Sequence, residues 1–552
     1  MLKKSFTTYT KSQSRSRSFL ATKEERAIAC ILDEFTFHCL KPEIEIIRFS
    51  PNNWKDILEI TNPKALFVES AWNGNGGSWQ FKIAKYEKNM GDELIDLLQW
   101  AKKNRVPTIF WNKEDPPHYE RFIDRARLFD YIFTSDANKI LNYRKDVGHK
   151  RVYPLPFAAQ PAIHNPILKE PRKLNVCFAG TYYGDIFPER KRDMDIILKP
   201  ALDFGLHIYD RQYGMPGYET SHYRFPEIYQ NAIRGKLEYS DMVNAYKQYK
   251  VFLNVNSVKD SPTMFSRRVF ELLASGTAVI STYSKGIEEL LGNDVVLFAD
   301  SENETRSHLE KLLSDENYWT EISVRGIRRV MEFHTYNQRL QYMFEKCNLD
   351  FQPRPLPKIT ILSKVESIND LKAIERFVYD QTYRKFDLII YTSGNSYLDL
   401  ISLKARLLLR GNHMEFTNNM DNILSMIDSN YVALISPKDY YSNNYLKDYA
   451  LATMYAGETR FFGKYTHFIQ KGSAIHLQGK GNEYIFVNSV PTATLVMSKT
   501  GLKETNLASL MENEWFIRSD NQQDVLSLDR FNYLQGFNSQ NIDSANIQKI
   551  CV

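Results

Sequence analysis

The chain has 552 residues and a formal net charge of +5, with 71 Lys and Arg against 66 Asp and Glu. A single hydrophobic core rarely serves so long a chain, so we expect two or three domains. The mild positive charge fits an anionic ligand or a weak attraction to anionic lipid, and it excludes the dense basic footprint of a nucleic-acid-binding protein.

The N-terminal segment 1–22 contains MLKKSFTTYTKSQSRSRSF, which is basic and lacks the apolar region of a secretory signal. We expect a flexible basic tail rather than an organelle transit peptide, which has a similar composition. No apolar run approaches the ~18 residues that a membrane span requires. The five cysteines are scattered without metal-ligand spacing, which favours reduced thiols in a cytoplasmic protein.

Residues 23–165 alternate short apolar runs with longer amphipathic stretches, a pattern typical of βαβ units and a parallel sheet. An amphipathic helix is predicted at 92–102. Prolines between 154 and 166 then indicate a linker. The predicted strands are 27–32, 44–49, 65–68, 108–111, 131–134 and 152–155.

Residues 166–350 form a second alternating series, in which helices are predicted at 239–249 and from His334 onwards. FQPRPLP at 351–357 is a second linker, and residues 358–552 begin a third α/β block with KITILSK. The predicted strands of the second series are 175–179, 206–209, 251–255, 278–281 and 295–298.

The first strand of the second series, NVCFAG, ends at Gly180 and Thr181. The next stretch, TYYGDIFPERKR, offers a turn of small residues followed by Arg190 and Arg192. Backbone N–H groups of a turn together with guanidiniums can bind a diphosphate. We therefore expect an anion site at this strand end.

A second cluster lies in NVNSVKDSPTMFSRRVFELLASGTAVIST, where Arg267 and Arg268 precede Glu271. Residues 261–263 are predicted to cap the helix that carries them. Cations at a helix start suit a diphosphate, and a carboxylate accepts hydrogen bonds from paired sugar hydroxyls. Together they suit a nucleoside diphosphate. The alternative is that Glu271 is an ordinary acid at a helix start, favoured by the macrodipole.

The first domain carries SAWNGNGGSWQ directly after a predicted strand. Gly76 and Gly77 permit a close approach of the backbone to a ligand, and Trp72 and Trp79 can stack on a sugar face. We predict an acceptor-binding loop; the alternative is an ordinary long loop between a strand and a helix.

The stretch FWNKEDPPHY follows another predicted strand and places Glu114, Asp115 and His118 within five residues. A transfer reaction onto a hydroxyl can need a general base near that hydroxyl, and any of the three can serve. Asp33 and Glu34, after the first strand, are the alternative bases. The non-catalytic interpretation is a loop with two carboxylates and a surface histidine.

FELLASGTAVIST, after LNVNS and before KGIEELL, resembles the nucleotide-sugar motif of family 4 (group 1) glycosyltransferases of the GT-B fold. It resembles more closely the spore-maturation (CgeB-type) glycosyltransferase-like proteins, over residues 174–347. The first domain is similar through FVESAWNGNGGSW, FWNKEDPPHY and DYIFTSD. The resemblance implies two Rossmann-like, doubly wound domains, with the acceptor side at 23–165 and the donor side at 166–350.

The resemblance also implies roles for individual residues. In that family the glutamate at the position of Glu271 binds the ribose hydroxyls of the donor, and a basic pair binds the diphosphate. Arg190 and Arg192 are candidates for that pair, with Arg267 or Arg268 as alternatives.

The chain departs from the family motif at Thr263, where the motif has a second glutamate that contacts the sugar. A hydroxyl cannot act as an ionised acceptor at neutral pH. The mode of sugar recognition, and retention or inversion at the anomeric carbon, therefore stay open.

The third block resembles family 2 glycosyltransferases of the GT-A fold, in its opening ITILSKVESIND and in YVALISPKDYYSNNYLKDYA. Ser436 and Lys438 stand at the two metal-ligand positions, which leaves Asp439 alone. The turn TSGNS also lacks the usual Asp. Mg²⁺ or Mn²⁺ prefers carboxylate oxygens, so the resemblance implies a GT-A-like domain that is not catalytic and binds glycan or supports assembly. The alternative is that Lys438 replaces the charge of the metal.

The sequence as a whole predicts a metal-independent glycosyltransferase of the hexosyltransferase type. Its donor is a nucleoside-diphosphate sugar, it needs no cofactor, and its acceptor is a glycan, a protein or a cell-surface or spore component. Nucleic acid is not an expected partner, while peripheral membrane contact and oligomeric state stay open. The alternatives are a nucleotide-sugar epimerase and a non-catalytic glycan-binding scaffold built from degenerate transferase domains.

Overall fold

A computed structural model describes residues 27–85, 92–183, 188–218, 221–392, 414–518 and 522–552. The described parts of Met1–Trp111 and Glu120–Ile132 form one compact unit, and those of Asn112–Tyr119 and Phe133–Val552 form a second. The basic tail predicted at 1–22 and residues 393–396 of the TSGNS turn lie outside the described residues.

The first unit is built on parallel strands, and the central ones, β1, β3 and β4, are buried on both faces, as their continuous apolar runs predict. Its sheet has the order β2-β1-β3-β4-β5, and β1 pairs in parallel with β2 and β3. The elements are β1 (Ile28–Ile31), α1 (Glu34–Leu40), β2 (Ile46–Arg48), α2 (Trp54–Thr61), β3 (Leu66–Glu69), α3 (Glu93–Lys103), β4 (Thr108–Asn112), α4 (Tyr119–Ala126) and β5 (Tyr131–Thr134).

The second unit contains a five-stranded parallel sheet in the order β11-β10-β9-β7-β8, which confirms the second alternating series. The elements are α5 (Ile140–Val147), β6 (Val152–Pro154), β7 (Leu174–Gly180), α6 (Pro188–Ala201), β8 (Leu206–Asp210), α7 (Tyr239–Gln248), β9 (Tyr249–Asn254), α8 (Arg268–Ala274), β10 (Ala278–Ser281), α9 (Lys285–Leu291), β11 (Val296–Phe298), α10 (Glu302–Ser314), α11 (Glu316–Phe333) and α12 (Tyr336–Lys346).

The third block, within the same unit, starts with β12 (Ile359–Lys364), α13 (Ile368–Asp380) and β13 (Phe386–Tyr391). Its remaining elements are β14 (Met414–Thr417), α14 (Met420–Met426), β15 (Tyr431–Leu434), β16 (Tyr440–Tyr441), α15 (Tyr445–Ala452), β17 (Phe461–Gly463), β18 (His467–Lys471), β19 (Ala474–Gln478), β20 (Phe486–Val487), β21 (Ser489–Pro491), β22 (Val496–Ser498), α16 (Lys499–Lys503), α17 (Leu507–Glu512), β23 (Trp515–Ile517), β24 (Val525–Ser527), β25 (Tyr533–Gln535) and α18 (Ser544–Gln548).

The main sheet of the third block has the order β14-β13-β12-β15-β22-β17-β24-β20. Strands β12 to β15 are parallel, whereas β22 runs antiparallel to β15. A second sheet has the order β16-β25-β18-β19. The predicted α/β class is confirmed for this block, while its likeness to the GT-A fold stays a prediction.

Helix α11 joins the third block to the preceding sheet. Arg328 on α11 forms a two-pronged ion pair with Asp448, at 2.8 Å from Nε to Oδ1 and 3.0 Å from Nη2 to Oδ2, and Asn532 donates to the same carboxylate. Arg530, 2% exposed, donates to Glu316 at the start of α11. The bidentate, buried Arg328–Asp448 pair and the Arg530–Glu316 pair together hold the third block on the helix.

The opposite face of α11 packs against α8. A Cβ at Gly326 would lie 2.9 Å from Leu273 Cδ2, so glycine permits the close approach of the two helices. Ser323 donates to the carbonyl of Gly276, which follows α8 and has a φ of +71°. Gly276 therefore ends the α8 segment, as predicted from FELLASGT. Among the helices of the described segments, none combines the length and apolarity of a membrane crossing.

Candidate functional site

A cavity of about 220 Å³ lies at the carboxyl ends of the middle strands of the five-stranded sheet. Strand β7 ends at Gly180, β9 ends at Asn254, and Arg211 directly follows β8. Ligands of parallel α/β sheets bind at this edge, because the loops that follow the strands leave a crevice there. Gly180 and Thr181, both predicted from the sequence, line the cavity.

Three guanidiniums line this cavity, those of Arg190, Arg211 and Arg268, and none of its described lining residues is acidic. Desolvation lowers the pKa of Arg190. Desolvation, and then repulsion from Arg268, lowers the pKa of Arg211. Crowded cations with no acid in the described lining make the cavity attractive to an anion, and the planar guanidinium groups match phosphate oxygens.

Two of the guanidiniums are held by the surrounding structure. Arg268, the first residue of α8, donates from Nη1 to the carbonyl of Ala179 in β7. Arg190, on α6, donates to the hydroxyl of Ser257 and lies 4.7 Å above the ring of Tyr183. Both contacts orient the cations and leave their remaining N–H groups for another acceptor.

The carboxylate of Glu271 lies in a fully buried network next to this region, not in the lining of the cavity. Its Oε2 accepts a hydrogen bond of 2.7 Å from the hydroxyl of Tyr246. Its Oε1 lies 3.6 Å from Arg267 Nη1 and 3.8 Å from His164 Nε2. Burial alone would raise the pKa of Glu271, but the charge of Arg267, the hydrogen bond from Tyr246 and other neighbouring charges together outweigh it, and the pKa is lowered.

His164 completes this network and is one of the residues that the sequence did not point to, since it lies in a stretch that reads as a proline-rich linker. Its Nδ1 accepts from the backbone N–H of Gln160, which places the proton of the neutral ring on Nε2, facing Tyr239. Burial lowers the pKa of His164 to about 4 despite the nearby Glu271 carboxylate. The histidine is therefore neutral at pH 7, and Arg267 carries the compensating charge.

The predicted cap at residues 261–263 is wrong, because α8 begins only at Arg268. Ser261 caps a tighter turn instead: its hydroxyl accepts from the backbone of Met264 and donates to Asp136. The short helix therefore offers no long dipole to a diphosphate. Of the predicted anion-binding groups at this segment, only the guanidiniums are present.

Thr263, where the family motif has a second glutamate, is used to join two segments of the second unit. Its hydroxyl accepts from the backbone N–H of Ala137 at 2.9 Å and donates to the carbonyl of Ser135 at 2.8 Å. A longer, charged side chain could not make both bonds from this position. The departure from the motif therefore coincides with a structural role.

The three candidate bases lie in different environments. Asp115 is fully buried and accepts from Asn112 and Thr134, and burial raises its pKa to about 7. His118 is half-buried. Glu114 is half-buried, no described residue forms a hydrogen bond or salt bridge with its carboxylate, and its charge acts on Arg211 in the cavity. The role of catalytic base stays a prediction for all three residues.

The glycine-rich loop belongs to the first unit. Trp79 is fully buried and donates to the carbonyl of Phe49, so it is a core residue and cannot stack on a sugar in this structure. Trp72 is half-buried. Gly76 and Gly77 are exposed at φ of +72° and +92°, and no atom lies within 4 Å of a Cβ at Gly77. The glycines serve the turn, and the predicted acceptor role stays a prediction for Trp72, Gly76 and Gly77.

The two alternative bases of the first unit are both engaged. Asp33 accepts from the backbone N–H groups of Asn73 and Gly74 at 3.0 and 2.9 Å. Glu34 forms an ion pair with Arg48. The carboxylate of Asp33 therefore fixes the loop and that of Glu34 pairs on the surface, so neither is a free base.

The remaining predicted cations lie outside the cavity. Arg192 is exposed on α6, and Arg267 is committed to Glu271. Arg211 takes their place in the lining, although no motif marked it. Among the described residues, no group of three His, Cys, Asp or Glu side chains could hold a metal ion.

Residues 195–345 match the model of a family described as glycosyl transferase-like. A search among curated proteins finds no match. Solved structures similar to this chain include Anabaena Alr3699/HepE in complex with UDP and glucose, at 11% identity over 59% of this chain and 93% of that chain, with a TM-score of 0.38. T4 phage BGT in complex with UDP and Mn²⁺ has 11% identity over 58% of this chain and 99% of that chain, with a TM-score of 0.38.

TarM is a further similar structure, at 11% identity over 51% of this chain and a TM-score of 0.34; the match spans 54% of the TarM chain. The segment 195–345 contains β8 to β11 as well as Arg211, Arg268 and Glu271. This part of the chain is therefore similar to the glycosyl transferase-like family.

Proposed function

We propose that the protein is a glycosyltransferase that binds a nucleoside-diphosphate sugar in the cavity of Arg190, Arg211 and Arg268. The observation that carries the proposal is three guanidiniums, without an acid among the described lining residues, at the carboxyl ends of β7, β8 and β9. The glycosyl transferase-like match at 195–345 supports it.

In this proposal the guanidiniums bind the diphosphate and stabilise the charge that develops on it as the sugar leaves. They supply this charge without a metal ion, and no cofactor takes part. Arginine suits the role because its donors bind two phosphate oxygens at once and keep their charge at neutral pH.

Glu271 is proposed to bind the ribose hydroxyls. Its Oε1 accepts no hydrogen bond from the described residues, so it keeps an acceptor position for a donor hydroxyl. Because Glu271 is fully buried, the network with Arg267 and His164 has to open for the ribose to reach it. Glu114 is proposed as the base if the reaction inverts the anomeric carbon.

The finer parts of the proposal are supported by the sequence resemblance. They are transfer of a hexose, an acceptor of the spore-maturation (CgeB-type) kind, and a third block that is GT-A-like and not catalytic. Asp439 supports the last of these, because both of its oxygens are engaged, by Tyr533 and by the backbone of Gly536.

One observation favours a non-catalytic scaffold instead: Thr263, where the family motif has a second glutamate, is used structurally. A nucleotide-sugar epimerase is the second alternative. It would convert the donor without an acceptor, so product formed from the donor alone would favour it.

The test is calorimetry of the full chain against UDP-, GDP- and CMP-sugars, with Arg268→Gln as the variant and Arg306→Gln as the control. Arg306 pairs with Asp203 on the surface, away from the cavity lining. We expect one donor to bind the wild type and the control equally, and Arg268→Gln at least about tenfold more weakly. Absence of binding to all donors would overturn the proposal and favour the scaffold.

A further inference from the structure

The third block contains a larger cavity, of about 610 Å³, at the carboxyl ends of β12 and β15. Its volume is within the range of about 300–1,000 Å³ that is usual for small-molecule sites. Nothing in the proposed donor site involves it, since the two cavities share no lining residue.

The charge of this cavity is unsuited to a nucleotide. Five carboxyl side chains line it against two lysines, so the excess of negative charge repels a diphosphate. One lysine is already neutralised, because Lys364 Nζ lies 2.8 Å from Glu512 and 3.1 Å from Glu366. The charged lining residues are Lys364, Glu366, Asp370, Lys438, Asp439, Glu512 and Glu514.

Asp439, the acid beside the metal-ligand positions at Ser436 and Lys438, is not available to a metal. Asp439 Oδ2 accepts a hydrogen bond of 2.9 Å from the hydroxyl of Tyr533, and its Oδ1 accepts one of 2.8 Å from the backbone N–H of Gly536. Burial raises the pKa of Asp439 to about 6. The carboxyl therefore shapes the floor of the cavity and does not face it as a free ligand.

Three polar groups of the lining lack a side-chain partner among the described residues. Glu514 and Lys438 are exposed, and no described residue forms a hydrogen bond or ion pair with their charged groups. Thr492 is only 7% exposed, and its hydroxyl has no partner. A buried hydroxyl without a partner is costly, so this wall of the cavity is incomplete without a bound group.

Together these groups offer a carboxylate acceptor, an ammonium donor and a hydroxyl that can do both. Apolar residues, among them Pro491, Leu510 and Met511, line the same cavity. A sugar has this combination of features, with hydroxyls on its edge and C–H groups on its faces. An anionic nucleotide does not.

We propose that the cavity of the third block binds a neutral carbohydrate through Glu514, Thr492 and Lys438, without a metal or a nucleotide. This site is independent of the donor cavity. It would hold a glycan on the protein whether or not the chain transfers sugar.

The experiment is saturation-transfer NMR of the full chain with four probes: methyl glucoside, methyl galactoside, methyl N-acetylglucosaminide and maltotriose. The variants are Glu514→Gln and Thr492→Val, and Glu458→Gln, an exposed acid of the same block outside the lining, is the matched control. We expect at least one probe to bind the wild type and Glu458→Gln equally, and each of the two variants about tenfold more weakly.

The variant Arg268→Gln separates this proposal from the proposed function. It should lose affinity for the donor and keep the carbohydrate signal, because Arg268 does not line this cavity. The proposal is overturned if none of the four probes binds, or if Glu514→Gln binds them as the wild type does. It is also overturned if Glu514→Gln changes the affinity for UDP, since the cavity would then be a nucleotide site.

Discussion

The two cavities of the second unit occupy equivalent places on their sheets and have opposite chemistry. Each lies where parallel strands end, at Gly180 and Asn254 in one case and at Lys364 and Leu434 in the other. The charged lining residues of the first are arginines without a described acid, whereas most charged lining residues of the second carry carboxyl groups. Topology thus sets where a ligand binds, whereas a few side chains at the strand ends set which class of ligand it is.

The acids of the two regions also differ in burial, so their removal should affect stability to different extents. Glu271, near the first cavity, is fully buried and balanced by Arg267, while Glu514 in the second is exposed. Loss of a buried charge leaves its partner uncompensated in a region of low dielectric. Loss of an exposed charge affects little besides a ligand.

The largest expected effect is at Glu271. Replacing it by Gln leaves the Arg267 guanidinium without its counter-charge, so we expect the free energy of unfolding to fall by about 3–5 kcal/mol. Urea unfolding measures this. The double variant Glu271→Gln with Arg267→Met should recover a large part of the loss, because the uncompensated charge is then removed.

Turnover of the double variant distinguishes two roles of Glu271, ribose binding and charge balance of Arg267. If it binds ribose, the double variant regains stability and does not regain turnover. Recovery of both would show that the carboxylate only balances Arg267, and the proposed ribose contact would be wrong.

The second effect concerns the buried acid of the candidate base loop. The pKa of Asp115 is raised from 3.8 to about 7, so between these values the folded state binds a proton that the unfolded state has lost. The contribution of this group to stability is present below pH 3.8 and is lost as pH rises through 7. Asp115→Asn removes that dependence, so its stability relative to the wild type should rise by as much as about 4 kcal/mol from pH 4 to pH 8.

Urea unfolding midpoints of both proteins at several pH values measure the difference. Asp350→Asn, which removes an exposed acid, is the control and should follow the wild type throughout. Parallel curves for Asp115→Asn and the wild type would mean that Asp115 is ionised in the folded protein and again a candidate base.

The third prediction compares two arginines that lie two residues apart on α6. Arg190 lines the first cavity and Arg192 does not. A hydrogen bond to a charged partner contributes about 1.5–3 kcal/mol, so Arg190→Gln should weaken donor binding by roughly tenfold to a hundredfold. We expect a clearly smaller loss for Arg192→Gln in the same calorimetric titration. A larger loss at Arg192 would place the diphosphate elsewhere on the helix.

Much of the fold was predictable because its strands are short apolar runs between turn residues. The strand predicted at 278–281 is observed as Ala278–Ser281, and that predicted at 131–134 as Tyr131–Thr134. Helix starts were less certain, as α8 shows, because a Ser-Pro-Thr turn resembles a cap in sequence. Gly180 and Thr181 were found since strand ends of a parallel sheet meet at one edge.

The residues that sequence reasoning missed are those brought in by tertiary packing. Arg211 follows β8 without any motif, and it joins the cavity only because Asp210 pairs with Gly180 in the neighbouring strand. His164 lies 107 positions before Glu271 and meets it only in the fold. Trp79 shows the opposite error, since nothing in GGSW reveals that its ring packs beneath the loop against Phe49.

The smallest expected effect is a difference in salt dependence between the two cavities. A diphosphate held by guanidiniums is screened by salt, whereas a neutral sugar held by hydrogen bonds is not. Raising NaCl from about 0.05 M to about 0.5 M, over which the Debye length falls well below 10 Å, should weaken donor binding by roughly several-fold. Binding of the methyl glycosides in the third block should change by less than about twofold.

Calorimetry and saturation-transfer NMR on one preparation measure both effects, with Glu458→Gln as the control for general salt effects on the third block. Equal salt dependence at the two cavities would contradict the assignment of opposite ligand classes, because the charge of the lining would then not decide what each cavity binds.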